Sequence, residues 1–198
     1  MKPIETTSEK VLLIDASNAG GGACVLLSYL TDRLREGGKR HFVLASSRCD
    51  VSLSQRKVVT GASPFSLRRR YYLRKYIREL QPDCILCFGN IPPSFHSQQL
   101  RVVTYFHNAL LVPSLQTDGF GLKARLTFFA LRQAIRQFSK NTSEWIFQSK
   151  YIEKKFMDEL AKVDLPSHVF PFFPPTKNDN MLSAVDTDFV FVSNYSVH

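Results

Sequence analysis

The chain has 198 residues, 44% of them hydrophobic and 22% charged, with 26 Lys and Arg against 17 Asp and Glu for a formal net charge of +9. That length can bury a full core and suggests one domain plus an appendage. The composition excludes a low-complexity chain, and no apolar run approaches the roughly 18 residues of a membrane span. The excess positive charge favours an anionic surface or substrate, a condition that nucleic acid, anionic lipid and phosphorylated donors all satisfy.

The first ten residues, MKPIETTSEK, hold no apolar h-region, so a cytosolic, uncleaved protein is expected. Val11 to Ile14 is a short continuous apolar run, the pattern of a parallel strand covered on both faces. Ala23, Leu26, Leu27, Leu30 and Leu34 then recur at helical spacing until Gly37-Gly38 stops the helix. Between strand and helix, Gly20, Gly21 and Gly22 remove side chains where the free N–H groups of a helix N-terminus point outward. A phosphate or a sugar hydroxyl could approach the backbone there; the same glycines also suit a plain tight turn.

A second strand, His41 to Ala45, is followed by Ser46, Ser47 and Arg48. A ribose-holding carboxylate is absent at that point, and the compact glycine triplet lacks G-x-G-x-x-G spacing, which argues against an NAD site. Arg48 could receive a 2′-phosphate, so an NADP-type Rossmann protein stays open. Lys57 to Thr60 reads as a third strand, and Ser63-Pro64 as an N-cap with proline at the first helical position. The helix that follows, to about Leu80, sets Leu73, Tyr76, Ile77 and Leu80 on one face and Arg70, Arg74 and Arg78 on another.

Cys84 to Phe88 is the next strand, broken by Gly89-Asn90-Ile91-Pro92-Pro93 at its carboxyl end, where ligand loops sit in doubly wound sheets. Cys84 and Cys87 would point to opposite faces of that strand, so a metal or redox C-x-x-C is not expected. All four cysteines read as reduced, mostly buried thiols. Arg101 to Phe106 is another strand and runs into His107-Asn108.

A long helix over Leu122 to Lys140 carries Arg125, Arg132, Arg136 and Lys140 as a basic stripe beside Leu126, Phe128, Phe129 and Leu131. With the Arg70, Arg74 and Arg78 stripe it suits an anionic membrane surface, or simply a solvated face. Trp145 to Phe147 is a short strand, Ser149 caps a helix over Lys150 to Ala161, and His168 to Phe170 is the last strand of the domain. Residues 1–170 form this domain, 171–187 read as a prolyl linker, and Asp188 to Val192 reads as the opening strand of a carboxy-terminal domain that is missing. The sequons at Asn141 and Asn194 are expected to be incidental.

His107 follows a buried strand at the sheet edge that the glycine turn also occupies, which makes it the candidate catalytic residue. Its imidazole could donate to a sugar hydroxyl or work as acid or base near neutral pH. No Ser/His/Asp set, phosphate-binding Gly-Lys-Ser/Thr loop or acidic metal pair can be assembled from local motifs. Neither a cofactor nor a metal is therefore expected.

In order and spacing, several segments resemble the amino-terminal half of a GT-B glycosyltransferase of the retaining nucleotide-sugar type, family four or group one. They are Asn18 to Gly22, Pro82 to Asn90, Tyr105 to Asn108, Trp145 to Phe156, the FPFFPP tract and the closing FVFVSNYSVH. The resemblance implies a Rossmann-like, mostly parallel α/β sheet that holds the acceptor, a saccharide or lipid-linked saccharide. It implies a nucleotide-sugar donor bound mainly by a second domain, and a place in polysaccharide biosynthesis. By the same resemblance Gly21 and Gly22 approach the donor phosphate, with Gly20 a donor- or acceptor-binding candidate in the same loop, His107 contacts the donor sugar near the reacting carbon with Asn108 beside it, and Ser149 is either a ligand contact or an N-cap. The family's paired glutamates have no counterpart here, so the chain alone is expected to be inactive. A non-catalytic basic module for membrane or nucleic acid is the other reading; the basic helices lack interleaved base-stacking motifs, which weighs against nucleic acid.

Overall fold

Seven strands build a single sheet: β1 (Leu12–Ala16), β2 (His41–Ser46), β3 (Arg56–Val59), β4 (Cys84–Cys87), β5 (Arg101–Phe106), β6 (Glu144–Phe147) and β7 (Ser167–Val169). Their order is β3-β2-β1-β4-β5-β6-β7 and every neighbouring pair is parallel. The computed structural model describes residues 10–49, 56–59, 66–96, 99–115, 119–161 and 163–170. The linker over 171–187 and the strand at 188–198 expected from sequence lie outside them.

Four helices are described: α1 (Gly22–Glu36), α2 (Leu67–Leu80), α3 (Leu122–Phe138) and α4 (Lys150–Glu159). Strand residues alternate between faces, so Leu13 and Ile14 enter different cores. Ile14, Val43, Ala45, Leu86 and Tyr105 pack with Leu26 and Leu27 of α1. Leu13, Leu44, Ile85 and Val102 meet Leu73 of α2 on the other face. There, Phe106, Trp145 and Phe147 also pack with Phe128 and Ile135 of α3 and Phe156 of α4. Helices thus cover both faces of an all-parallel sheet, the doubly wound Rossmann-like arrangement. Both faces are apolar, which is why these strands read as continuous hydrophobic runs.

The strand order reverses between β1 and β4, the neighbours from which the chain winds outward in opposite directions. The crevice outside their carboxyl ends is where such sheets take ligands. No helix among the described residues is long and apolar enough to cross a membrane.

Several boundaries differ from the sequence reading by one or two residues: β2 runs on to Ser46, β4 stops at Cys87, β6 begins at Glu144, β7 spans Ser167–Val169, and the helices expected to reach Lys140 and Ala161 end at Phe138 and Glu159. Ser66, not Ser63, caps α2, its Oγ accepting from the Arg69 N–H at 3.1 Å, and the helix begins at Leu67; Ser63-Pro64 lies outside the described residues. The third strand spans Arg56–Val59, one residue earlier than expected.

The four cysteines are not all reduced. Cys84 and Cys87 are free and face opposite sides of β4, as expected, but Cys24 and Cys49 form a disulfide. Cys24 lies in the first turn of α1 and Cys49 three residues beyond β2. Parallel pairing of β1 with β2 delivers both to the same sheet edge, with their Cα atoms 5.3 Å apart. The sequon at Asn141 is also accounted for: that side chain is buried and its Nδ2 donates to the Pro93 carbonyl at 2.8 Å.

The bridge joins residues 25 apart in sequence. A crosslink closing a loop of that length contributes about 3 kcal/mol. Adding a dithiol reductant, or making Cys49→Ala, is expected to lower the unfolding free energy by that amount. Urea unfolding of oxidised and reduced protein measures it, and coincident curves would show that the bond contributes nothing.

Candidate functional site

The carboxyl edge around the switch point is organised by a buried ion pair. Asp15 sits on β1 with no exposure, and Arg69 in the first turn of α2 is 2% exposed. Asp15 Oδ2 accepts from Arg69 Nε at 2.8 Å and Nη2 at 2.7 Å. Its Oδ1 accepts from the Ser17 hydroxyl at 2.6 Å and the Ser17 N–H at 3.2 Å. Arg69 also donates to the carbonyls of Ile91 and Pro92 at 2.8 and 3.2 Å. Burial opposes the Arg69 charge, the adjoining Asp15 carboxylate is the chief group working against that, and the net effect holds the guanidinium above its ordinary value. Burial, reinforced by Asp15, pushes the Cys87 thiol far up, so it stays protonated.

Across the same crevice, Asn18 Nδ2 donates to the Gly89 carbonyl at 2.8 Å. A Cβ at Gly89 would lie 1.7 Å from Asn18 Oδ1, so no side chain fits there. The loops after β1 and β4 are therefore held together at two points.

The glycine turn lies on the rim. Gly20, Gly21 and Gly22 are exposed, and Gly21 has φ +56°, ψ −130°, a conformation open essentially to glycine alone. Nothing among the described residues lies within 4 Å of a Cβ built at Gly21 or Gly22, while one at Gly20 would meet the Arg48 side chain at 3.9 Å. Cys24–Cys49 anchors the turn from the α1 side.

His107 stands at the end of β5, two strands from β1 and so about 10 Å along the sheet edge. Its ring packs against Phe88 and Tyr105, with centroids 5.7 and 5.6 Å away. Nε2 lies 3.2 Å from both the Phe88 carbonyl and Asn90 Nδ2. Burial pushes the imidazole down to about 4, against hydrogen bonding to the backbone of Phe88 and of His107 itself. It is neutral at pH 7, which corrects the expectation of titration near neutrality. Burial likewise pushes the Tyr105 phenol up to about 12, its hydrogen bond with Gln148 working against the shift.

Asn90 was not singled out from the sequence. It is buried with φ +65°, and its Oδ1 accepts from the backbone N–H groups of His107 at 2.7 Å and Asn108 at 2.9 Å. The Asn108 side chain is taken up locally, Oδ1 accepting from Leu110 N–H to cap a short 3-10 turn. Ser149 is the N-cap of α4, its Oγ accepting from Ile152 N–H at 3.3 Å. It lies beyond β6, one strand further out than His107.

The basic stripes are less uniform than the sequence suggested. On α2, Arg74 and Arg78 are exposed and Arg70 half-buried, with Arg74 over the Phe95 ring at 5.1 Å. On α3, Arg132 is half-buried and donates to the carbonyls of Leu111 and Leu110 at 2.9 and 3.3 Å, so it clamps the 3-10 turn rather than facing outward. Arg136 reaches the Glu159 carbonyl at 3.3 Å; Arg125 and Lys140 are exposed. Phe128 is buried and Leu131 packs against the core, while Leu122, Leu126 and Phe129 are 73, 59 and 58% exposed. At 3.6 residues per turn those three share one strip, flanked by Lys123 on one side and Arg125 and Arg136 on the other.

Among the described residues no group of three or more His, Cys, Asp or Glu could hold a metal ion. No protein-family model and no curated protein matches the chain. A crystal structure of Acinetobacter baumannii MurG is similar at 17% identity and a TM-score of 0.34, over 84% of this chain and 69% of that one. That likeness is too distant to assign chemistry.

Arg69→Met leaves Asp15 buried without its counter-ion and is expected to cost about 3 to 5 kcal/mol of stability. A double variant, Asp15→Leu with Arg69→Met, should recover part of that loss. Chemical denaturation of the three proteins checks it; a single variant as stable as wild type would show that the pair does not hold the edge.

Proposed function

We propose that this chain is the acceptor-side half of a sugar-nucleotide-dependent glycosyltransferase of GT-B type, working with a second domain that carries most donor contacts. The observation that supports it is the placement, along one carboxyl edge of the sheet and about 10 Å apart, of a bare glycine turn at a helix N-terminus and the Asn90–His107 corner. The first offers backbone N–H groups to a phosphate. The second offers a neutral imidazole to a sugar oxygen. Transfer with retention, by the motif resemblance, is part of the same reading. His107 is then a positioned hydrogen-bonding group at the reacting sugar, with Gly21 and Gly22 at the donor phosphate.

In a protein that includes the donor-binding domain, His107→Ala is expected to lower turnover on the order of 10²-fold. Its thermal stability should change little. Sugar-nucleotide consumption in the presence of a saccharide acceptor measures the first and a melting curve the second. Wild-type turnover in a folded His107→Ala protein would refute the assignment.

The acceptor reading extends to a lipid-linked saccharide met at an anionic membrane surface through α3. Leu122, Leu126 and Phe129 between Lys123, Arg125 and Arg136 combine apolar and cationic groups on one helix, the arrangement suited to a headgroup interface. Each cation near an anionic leaflet contributes about 1 kcal/mol, and salt weakens it. Co-sedimentation with phosphatidylglycerol vesicles at low salt should retain the wild type and lose Arg125→Glu/Phe129→Ser; equal recovery of both proteins would remove the membrane reading.

A further inference from the structure

We propose that Asn90 is a positioning residue that sets the tautomer of His107, its side-chain amide donating to Nε2 so that the imidazole carries its proton on Nδ1. The side-chain amide of Asn90 has one possible orientation. Its Oδ1 accepts two backbone N–H groups, from His107 and Asn108. Rotating the amide by 180° would set its NH₂ against both donors, so the orientation is forced. Nδ2 then necessarily aims its hydrogens toward Nε2 at 3.2 Å.

The Phe88 carbonyl lies at the same distance from Nε2 and competes for it. One ring nitrogen cannot accept from the amide and donate to the carbonyl at once. If Nε2 carried the proton, its N–H would face the Asn90 N–H inside a half-buried pocket and strand a donor. Orphaned buried donors are rarer in folded proteins than under-satisfied carbonyls, which have two lone pairs. The amide therefore takes Nε2, and the proton resides on Nδ1.

The surroundings hold this arrangement in place. Phe88 and Tyr105 flank the ring and restrict its rotation. Gly89 places the loop where a Cβ would collide with Asn18, and Asn90 occupies the left-handed region, which asparagine tolerates better than most residues. No charged side chain among the described residues contributes to the displaced titration of His107; Tyr105 is the titratable group against the ring. The consequence is a neutral imidazole whose only donor is Nδ1–H. On the proposed function, to which this adds the state of the site histidine, an Nε2 lone pair taken up by Asn90 leaves His107 unable to accept a proton from a sugar hydroxyl, and a hydrogen bond to a sugar oxygen would come from Nδ1–H in exchange for its bond to its own backbone.

The test needs no substrate. Long-range 1H–15N correlation spectra of the chain labelled with 15N-histidine report which ring nitrogen is protonated, and His107→Gln identifies the resonance. Wild type at pH 7 should show a protonated Nδ1 and a bare Nε2. Asn90→Asp keeps the shape and both accepted backbone N–H bonds but turns the donor into a carboxylate oxygen. It should move the proton to Nε2 and raise the His107 titration by about one pH unit or more. Asn90→Gly keeps the left-handed backbone, deletes the amide, and should leave Nε2–H bonded to the Phe88 carbonyl. A wild-type spectrum with the proton on Nε2 overturns the proposal whether or not the variants fold, as does an unchanged tautomer in both folded variants. Retained turnover in His107→Ala beside a wild-type Nδ1–H signature would refute the placement of His107 at the reacting sugar and leave the tautomer assignment standing.

Discussion

The pairing of Asp15 with Arg69 is the constraint on which the ligand-facing edge depends. It joins the carboxyl end of the central strand to the first turn of α2, and through Arg69 to the carbonyls of Ile91 and Pro92 in the loop after β4. Such a pair is no reservoir of net stability, because desolvation cancels much of its attraction. Its force lies in intolerance of separation: moving either loop strands a charge in an apolar interior. Segments separated by more than seventy residues of chain are thereby fixed against one another, and Asn18 on Gly89 repeats the connection a few residues away.

The fate of individual arginines changes what the net charge of +9 means. Arg69 is neutralised in the core by Asp15 and adds nothing to the outward field, whereas the half-buried Arg132 keeps its charge but is fixed on the carbonyls of the turn before α3. Outward-facing cations are spread over the surface: they flank the strip of Leu122, Leu126 and Phe129, lie along α2, and include Arg33, Arg35 and Lys39 at and beyond the end of α1, Arg48 after β2 and Lys150 at the start of α4. His107 adds none, because burial keeps it neutral. Arg48, exposed and next to Gly20, brings a cation to the sheet edge as well, so positive charge lies both beside the glycine turn and on the helix faces, which a count of lysines and arginines does not distinguish.

The strands were legible because a parallel sheet covered on both faces writes itself as apolar runs, and β5 matches its expected bounds from Arg101 to Phe106. The cap at Ser149 was legible for a local reason, a hydroxyl one residue before the helix. Contacts between distant segments were not. Asp15 inside VLLIDA did carry a signal, since a carboxylate in a doubly buried strand demands a cation. Nothing local says which arginine of the run 68–70 turns inward; the displaced helix start at Leu67 decides it. Cys24 and Cys49 were read as free thiols because each has bland neighbours, and only the adjacency of β1 and β2 brings them together. Asn90 passed as a loop breaker, because its side-chain role depends on a backbone that arrives seventeen residues later.

The glycines separate two kinds of demand that look identical in sequence. Gly89 is required by packing, since Asn18 fills the place of its side chain. Gly21 is required by its own backbone, at φ +56°. Gly22 meets neither condition: a Cβ there would touch nothing within 4 Å among the described residues, and it opens α1 without a left-handed φ. The fold therefore supplies no reason for glycine at that position. On the proposed function the reason comes from outside the fold, because a phosphate reaching the N–H groups at the start of α1 comes closest where the backbone is bare.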